Sequence, residues 1–318
     1  MSPQERLALV DAANRAPSVH NIQPARFRFL DERTIELVED PQRRLFVGDP
    51  EGKDNQKSLG AALEGLALAL SERGFGAEVN GARVQMISGA GRDSLAPYAA
   101  TRASYRGIFA PHTNRERAAL AQIAAVCPDL HIIEAPEVLA ELARLFDDVS
   151  MEVLRAPNYR AELLSWMRLS RCHPNYARDG LSAAHMALSP VEAIGAGVVL
   201  GPTLFPLLDA IGAARPLIAE SGKVRSAAGA ALFHRPADEP EMQTGRRFYR
   251  VWLEIERAGL ALCPMSVLAD GPHAAALLLD EAGLTGRKLV TVFRIGCKPE
   301  KFVQPPRARL PAAELIVP

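Results

Sequence analysis

A helix, a glycine and a strand follow one another twice in this chain, at two distant places. From Ser58 to Arg73, the residues Leu59, Ala62, Leu63, Leu66, Ala69 and Leu70 recur at helical spacing. Gly74 stops that helix, and Phe75 to Val79 reads as a strand. It forms a hairpin with Arg83 to Ser88 around Asn80-Gly81, a strong turn dipeptide. Gly245 to Ala258, then Gly259, then Leu260 to Cys263 repeat the plan. The order helix, glycine, strand is common, so the echo arises either by chance or from a duplicated unit whose copies pack as a pseudo-dimer. Its period is too long for a solenoid.

Elsewhere the periodicity predicts helices over Gln4 to Arg15, Glu116 to Val126 and Pro136 to Leu154. Strands are expected at Arg26 to Leu30, Thr34 to Glu39, His131 to Glu134, Gly229 to His234 and Leu289 to Ile295. Helices and mostly antiparallel hairpins together make an α+β fold. Ala156 to Arg225 reads as broken helices rich in glycine and proline, either a lid over a site or a structural insertion. The tail, Lys298 to Pro318, is proline-rich and extended.

Composition narrows the function. A chain of 318 residues allows one large domain or two moderate ones, and 48% hydrophobic with 23% charged residues supports a packed core. A net charge of +0 and a pI near 7.1 give no electrostatic basis for binding nucleic acid or an anionic membrane. A local cationic pocket stays open. Ala193 to Ala214 is interrupted by glycines and prolines, which argues against a membrane span, and the first residues do not resemble a signal peptide. Cys127, Cys172, Cys263 and Cys297 lie far apart, as expected of reduced thiols in a cytoplasmic protein without a zinc site.

Three short segments carry candidate chemistry. Ala16-Pro17-Ser18-Val19-His20-Asn21-Ile22-Gln23-Pro24 ends the first helix as a rigid shelf with exposed amides and no strong acid or base. It suits a flat, neutral heteroaromatic ring; its plainer reading is a capping turn. Arg102, Ser104 and Arg106 alternate in an extended segment, so their side chains share one face and can clamp a phosphate. Arg307 and Arg309 repeat that alternation between Pro306 and Pro311. Taken singly, the two arginine segments also read as a solvated strand edge and a basic tail.

Together these segments resemble the FMN-dependent nitroreductase superfamily. The resembling parts are the shelf, the Arg-x-Ser-x-Arg segment and the C-terminal Arg-x-Arg-Leu-Pro. Gly259-Leu260-Ala261-Leu262-Cys263-Pro264 is similar to a fourth part, whose backbone faces the reactive edge of the ring. Here the shelf precedes the clamp, the reverse of the usual order. With the loop from Asp40 to Gly52, that order resembles the Acg family of FMN-binding proteins.

The resemblance implies two fused nitroreductase-like halves, 1–100 and 101–318, with a possible lid at 156–225 and one composite site. FMN is then held by Arg102, Ser104, Arg106, Arg307 and Arg309. Pro17, Ser18, Val19, Asn21, Gln23, Pro264, Met265, Ser266 and Val267 lie around its ring. No catalytic side chain is assigned. The implied activity passes electrons from NAD(P)H to a nitroaromatic, quinone or similar acceptor. The alternative is a flavin-storage protein with a shielded FMN and no turnover. The assembly is a monomeric pseudo-dimer or a weak homodimer.

Overall fold

The structure, a computed structural model, describes all residues from Met1 to Pro318. In chain order α1 (Pro3–Ala13) leads to β1 (Ala25–Phe29), β2 (Thr34–Glu39), α2 (Lys53–Ser71), β3 (Phe75–Asn80) and β4 (Arg83–Ser88). Next come α3 (Asn114–Val126), β5 (Leu130–Ile133), α4 (Pro136–Arg155) and α5 (Pro157–Trp166). Short pieces follow: β6 (Met167–Arg168), β7 (Leu181–Ser182), α6 (Pro190–Val199), α7 (Leu204–Ala210), α8 (Ala214–Ile218) and α9 (Ser221–Arg225). The chain closes with β8 (Gly229–Pro236), α10 (Glu241–Arg257), β9 (Ala261–Pro264), α11 (Val267–Asp270), α12 (Pro272–Glu281), β10 (Arg287–Gly296), α13 (Ala312–Leu315) and β11 (Ile316–Val317).

This is a mixed helix-and-sheet architecture with two principal sheets. One runs β11-β1-β2-β4-β3 and the other β5-β8-β10-β9. Without β11, both have four strands in antiparallel neighbouring pairs. In each, the second strand leads into a long helix, the helix leads to an edge strand, and the last strand inserts between them. The parallel strand β11 carries the C-terminus back beside β1. Sheet, α1 and α2 enclose one core built on Leu9, Phe27, Ile35, Leu63 and Leu66. The second sheet has cores on both faces, one with Trp252 and Phe293, the other with Leu142, Leu268 and Val292.

α2 and α10 meet where Gly60 faces Gly245. A Cβ on Gly60 would lie 2.0 Å from the Met242 carbonyl oxygen, and one on Gly245 would lie 1.9 Å from that of Lys57. Each glycine thus rests on the residue three before the other, a reciprocal contact with the symmetry of a two-fold axis. Ala61, Leu68, Tyr249 and Leu253 fill the space along the crossing. Gly74 and Gly259 then end the two helices with φ of +79° and +75°.

The periodicity locates both helices but starts them late. α2 begins at Lys53 and α10 at Glu241 because their first turns are polar, whereas apolar spacing reports only a core-facing stripe. The extended tail holds two elements the sequence pattern misses, α13 and β11. No single helix is long and apolar enough to cross a membrane; α6 and α7 reach that length and apolarity only together, as a pair bent by 81°.

Gly60→Ala and Gly245→Ala are each expected to force the helices apart, costing about 1–3 kcal/mol or more. Because one separation relieves both clashes, the double variant should lose less than the sum of the singles. Chemical denaturation of the three variants checks this.

Candidate functional site

A cavity of about 1180 Å³ lies between the shelf, the start of α2, the segment around Arg102, α10, the turn from β9 into α11 and the tail. Residues 156–225 supply a further wall through Leu163, Met167, His185, Val199 and Leu200.

The shelf is held in an unusual backbone conformation. His20, Asn21 and Gln23 have φ of 43°, 56° and 54°, a region costly for residues other than glycine. Hydrogen bonds from three parts of the chain hold it. The Val19 amide donates to Ser58 Oγ of α2 at 3.0 Å, and the Gln23 amide donates to Ser18 Oγ at 3.0 Å. Asn21 Nδ2 donates to the carbonyls of Gly180 (3.3 Å) and Ala308 (3.2 Å). Pro17, Ser18, Val19, His20 and Asn21 therefore face the cavity.

Gln23 does not. It is 4% exposed, donates through Nε2 to the Arg178 carbonyl at 2.8 Å and accepts the Leu310 amide at 2.8 Å. It is a brace beneath the shelf rather than a wall of the site, because its side chain turns inward to satisfy backbone groups.

Arg102, Ser104 and Arg106 also line the cavity. Ser104 bridges to Leu262 beside β9, which fixes this stretch against the second sheet. The Arg102 guanidinium lies over the Trp252 ring, 4.4 Å from its centroid, and donates to the Arg15 carbonyl at 3.0 Å. Trp252 packs in the core and also carries this cation. Arg307 donates to the carbonyls of Arg102 (2.8 Å), Ala100 (2.9 Å) and Arg15 (3.1 Å). Arg309 donates to the Ala16 carbonyl at 3.1 Å and to Asn21 Oδ1.

These arginines hydrogen-bond carbonyl and amide oxygens and no carboxylate. No carboxylate is in direct contact with them; Glu256, which also lines the cavity, favours the charged forms of Arg102 and Arg307 from a distance. Burial, then the neighbouring Arg307, pulls Arg102 down to about 10. Burial followed by Arg307 and Arg102 pulls Arg309 well below its ordinary value. Buried cations normally have a partner, so this end of the cavity is built for an anion. Polar atoms without a protein partner mark the same walls: Arg102 Nε, Gln304 Oε1 and His20 Nδ1.

Downstream of β9 the structure corrects the expected set. Pro264 and Ser266 face the cavity, but Met265 and Val267 do not. Met265 is 2% exposed in the core with Leu268 and Val292, and Val267 packs on that core. At the end of β9, Met265 follows Pro264 to the opposite side; Ser266 then turns into α11, whose first residue, Val267, packs back on the core. The sequence pattern also misses Lys57 and Ser58 on α2, Phe248 on α10 and His185. The polar start of α2 and the aromatic spacing of Phe248 and Trp252 are the signals that could have found them.

His20 and His185 are both neutral. Burial, then the nearby Arg106, pulls each to about 4. The His185 ring also hydrogen-bonds Ser182 Oγ at 2.7 Å. Neither is a ready proton donor near neutrality.

Residues 156–225 are tied to the rest of the site by polar links, one of them through buried Asp179. Asp179, paired within the segment to Arg168 at 2.7 Å, reaches outside it to Arg43 at 3.1 Å. The Glu162 carboxylate accepts the Gly48 amide at 2.7 Å and the Val47 amide at 3.0 Å.

Comparison with known proteins gives limited likeness. No known family profile matches the chain. Two Mycobacterium tuberculosis proteins, Rv3131 of strain H37Rv and MT3217 of strain CDC 1551, are provisionally named NAD(P)H nitroreductases. Each is 41% identical over 68 residues, 21% of this chain. The match spans 20% of the length of those relatives. Among solved structures, the FMN-dependent nitroreductase NfnB from Mycobacterium smegmatis, in complex with NADPH, aligns at 17% identity and a TM-score of 0.36. That alignment covers 65% of this chain and 90% of NfnB. An FMN and NADPH-dependent NfnB from a sphigopyxis strain aligns at 18% identity and 0.35, covering 67% and 94%.

The histidines make stability pH-dependent. An unfolded histidine takes up a proton near pH 6.5, whereas these refuse it until about 4. Stability therefore falls as pH drops through that window, because the unfolded chain binds more protons. Urea denaturation at pH 5 and pH 7 should show a smaller loss for His20→Asn/His185→Asn than for the parent. Asn is chosen because it tolerates the left-handed backbone at position 20.

Proposed function

We propose that the cavity binds FMN and that the protein is a nitroreductase-like oxidoreductase. The observation that carries this reading is a group of arginines without carboxylate hydrogen-bond partners, Arg102 buried and Arg106, Arg307 and Arg309 half-buried, set beside a neutral shelf. Arg102, Ser104, Arg106, Arg307 and Arg309 hold the phosphate. Pro17, Ser18, Val19, Asn21, Pro264 and Ser266 lie along the ring. The orphaned Arg102 Nε and Gln304 Oε1 are satisfied by the polar edges of such a ligand. Bound flavin supplies the electron-transfer chemistry, and the protein supplies orientation and electrostatics. The shelf and the Ser104 segment set the ligand's position, and the neutral His20 and His185 add no charge beside it.

The donor is NAD(P)H and the acceptor a nitroaromatic, quinone or similar compound. We assign 1–100 and 101–318 as two nitroreductase-like halves, supported by their common strand order and the Gly60–Gly245 contact. Residues 156–225 form the cover, and one chain completes one site. A second reading, flavin storage without turnover, is favoured by one feature: the cover is fastened through buried Asp179 to Arg43 and through Glu162 to the Gly48 amide.

Two experiments test the proposal. Anaerobic NADPH added to the FMN-loaded protein should bleach its visible absorbance; persistent colour supports storage instead. Arg102→Ala and Arg309→Ala should each weaken FMN binding about 10- to 150-fold, the equivalent of one charge-assisted contact of roughly 1.5–3 kcal/mol. Unchanged affinity in both variants contradicts the phosphate assignment.

A further inference from the structure

The cavity is larger than one ligand needs. Its volume of about 1180 Å³ exceeds the roughly 300–1,000 Å³ that encloses a single small ligand. Its two ends also differ in chemistry. Arg102, Arg106, Arg307 and Arg309 stand on the segment around Arg102 and on the tail, and none of them hydrogen-bonds α4, α5, α6 or α8. Those four helices bound the other end. Leu154, Leu163, Met167, Leu200 and Ile218 belong to one apolar cluster there, and each of them also lines the cavity.

α4 and α6 shape this end. On α4, Phe146, Ser150 and Leu154 are spaced four residues apart, so they form one stripe along the helix, and all three reach the cavity. On α6, Gly195, Ala196 and Val199 line it. Gly195 faces open space: a Cβ there would meet no atom within 4 Å, whereas one on Gly60 or Gly245 would strike backbone. Glycine inside a helix costs stability, and here no close contact demands it. Its effect is to leave room between α6 and the α4 stripe.

Charge sets the class of ligand. Of the residues that these four helices give to the cavity, Glu192 alone is charged. Its carboxylate accepts the Ser189 amide at 2.8 Å, and Lys223 acts on it only from a distance. Lys223 itself pairs with Glu220 at 2.6 Å. An anion between α4 and α6 would therefore face a carboxylate and, from these helices, no cation. A neutral, apolar group gains from the aliphatic wall without that repulsion.

We propose that the space between α4 and α6 is a second ligand subsite, which takes the aliphatic part of a neutral aromatic molecule. This deepens the assignment of the cavity and rests on it for the cofactor's place at the arginine end. Such a ligand belongs to the acceptors, because the polyphosphate of a pyridine nucleotide is repelled from this end by its charge.

The test is calorimetric binding of methyl 4-nitrobenzoate, butyl 4-nitrobenzoate and the 4-nitrobenzoate anion to the full chain, with and without FMN. The butyl ester should bind about tenfold or more tightly than the methyl ester because of its additional methylenes, and the anion should bind weakest. Gly195→Leu fills the subsite and should erase the preference for the butyl ester. Its FMN affinity should match the parent's and its thermal midpoint should be no lower, since an ordinary residue replaces a helical glycine. Glu192→Gln keeps the capping hydrogen bond and should strengthen binding of the anion about threefold or more. Equal affinity for the two esters, tightest binding of the anion, or an undiminished butyl preference in Gly195→Leu overturns the proposal. So does weaker FMN binding by Gly195→Leu, since the cofactor then occupies this end. FMN binding without an ester preference defeats this inference alone. An ester preference that Gly195→Leu erases, in a chain that does not bind FMN, defeats only the cofactor reading.

Discussion

The close crossing of α2 and α10 is the contact on which the remaining architecture depends. Gly60 and Gly245 let the helix backbones touch, and each helix is followed by a glycine of positive φ and an edge strand. The crossing fixes one sheet against the other. It also brings the first turns of α2, with Lys57 and Ser58, to the same cavity as Phe248 and Trp252 of α10. The shelf hangs from Ser58, and the Arg102 side chain lies over Trp252. A side chain at either glycine would therefore disturb both walls of the site.

On that frame the protein concentrates positive charge that no carboxylate contacts directly, with Glu256 alone of the cavity's acids acting on Arg102 and Arg307. Surface and interfacial charges elsewhere are paired with care: Glu64 takes Arg246 and Arg250, and Asp129 takes Arg235 and Arg247. Arg102, Arg307 and Arg309 instead use carbonyl and amide oxygens and repel one another. A chain of balanced overall charge thus keeps one local imbalance. Desolvated guanidinium groups gain most from a multiply charged ligand with several acceptor oxygens, and the strained shelf beside them stays in place because three separate segments hydrogen-bond to it.

Much of this was legible in the sequence, for reasons particular residues make plain. Apolar spacing marks α2 from Leu59 onward because that stripe faces a core, and Asn80-Gly81 marks the β3–β4 hairpin. The alternation of Arg102 with Arg106, and of Arg307 with Arg309, is seen in pairs that line the cavity. What the pattern cannot show is which way a side chain turns when the backbone is unusual. Gln23 has the composition of a site residue, but its positive φ and buried partners make it a brace. Met265 and Val267 sit among site residues in sequence and point into the core. His185 comes from the broken helical segment, where no periodicity exists to read. The joining of β11 to β1 depends on contacts between the two ends of the chain, which no local window contains.

The central claim is that the arginine cluster binds the phosphate of a flavin. Comparing the dissociation constants of FMN and riboflavin by flavin fluorescence tests it most directly, because the two differ only in that group. The account predicts that FMN binds about 100-fold or more tightly than riboflavin, as expected from at least two charge-assisted contacts, with the difference shrinking as salt rises. Equal affinity for the two ligands, or a preference for riboflavin, would contradict it.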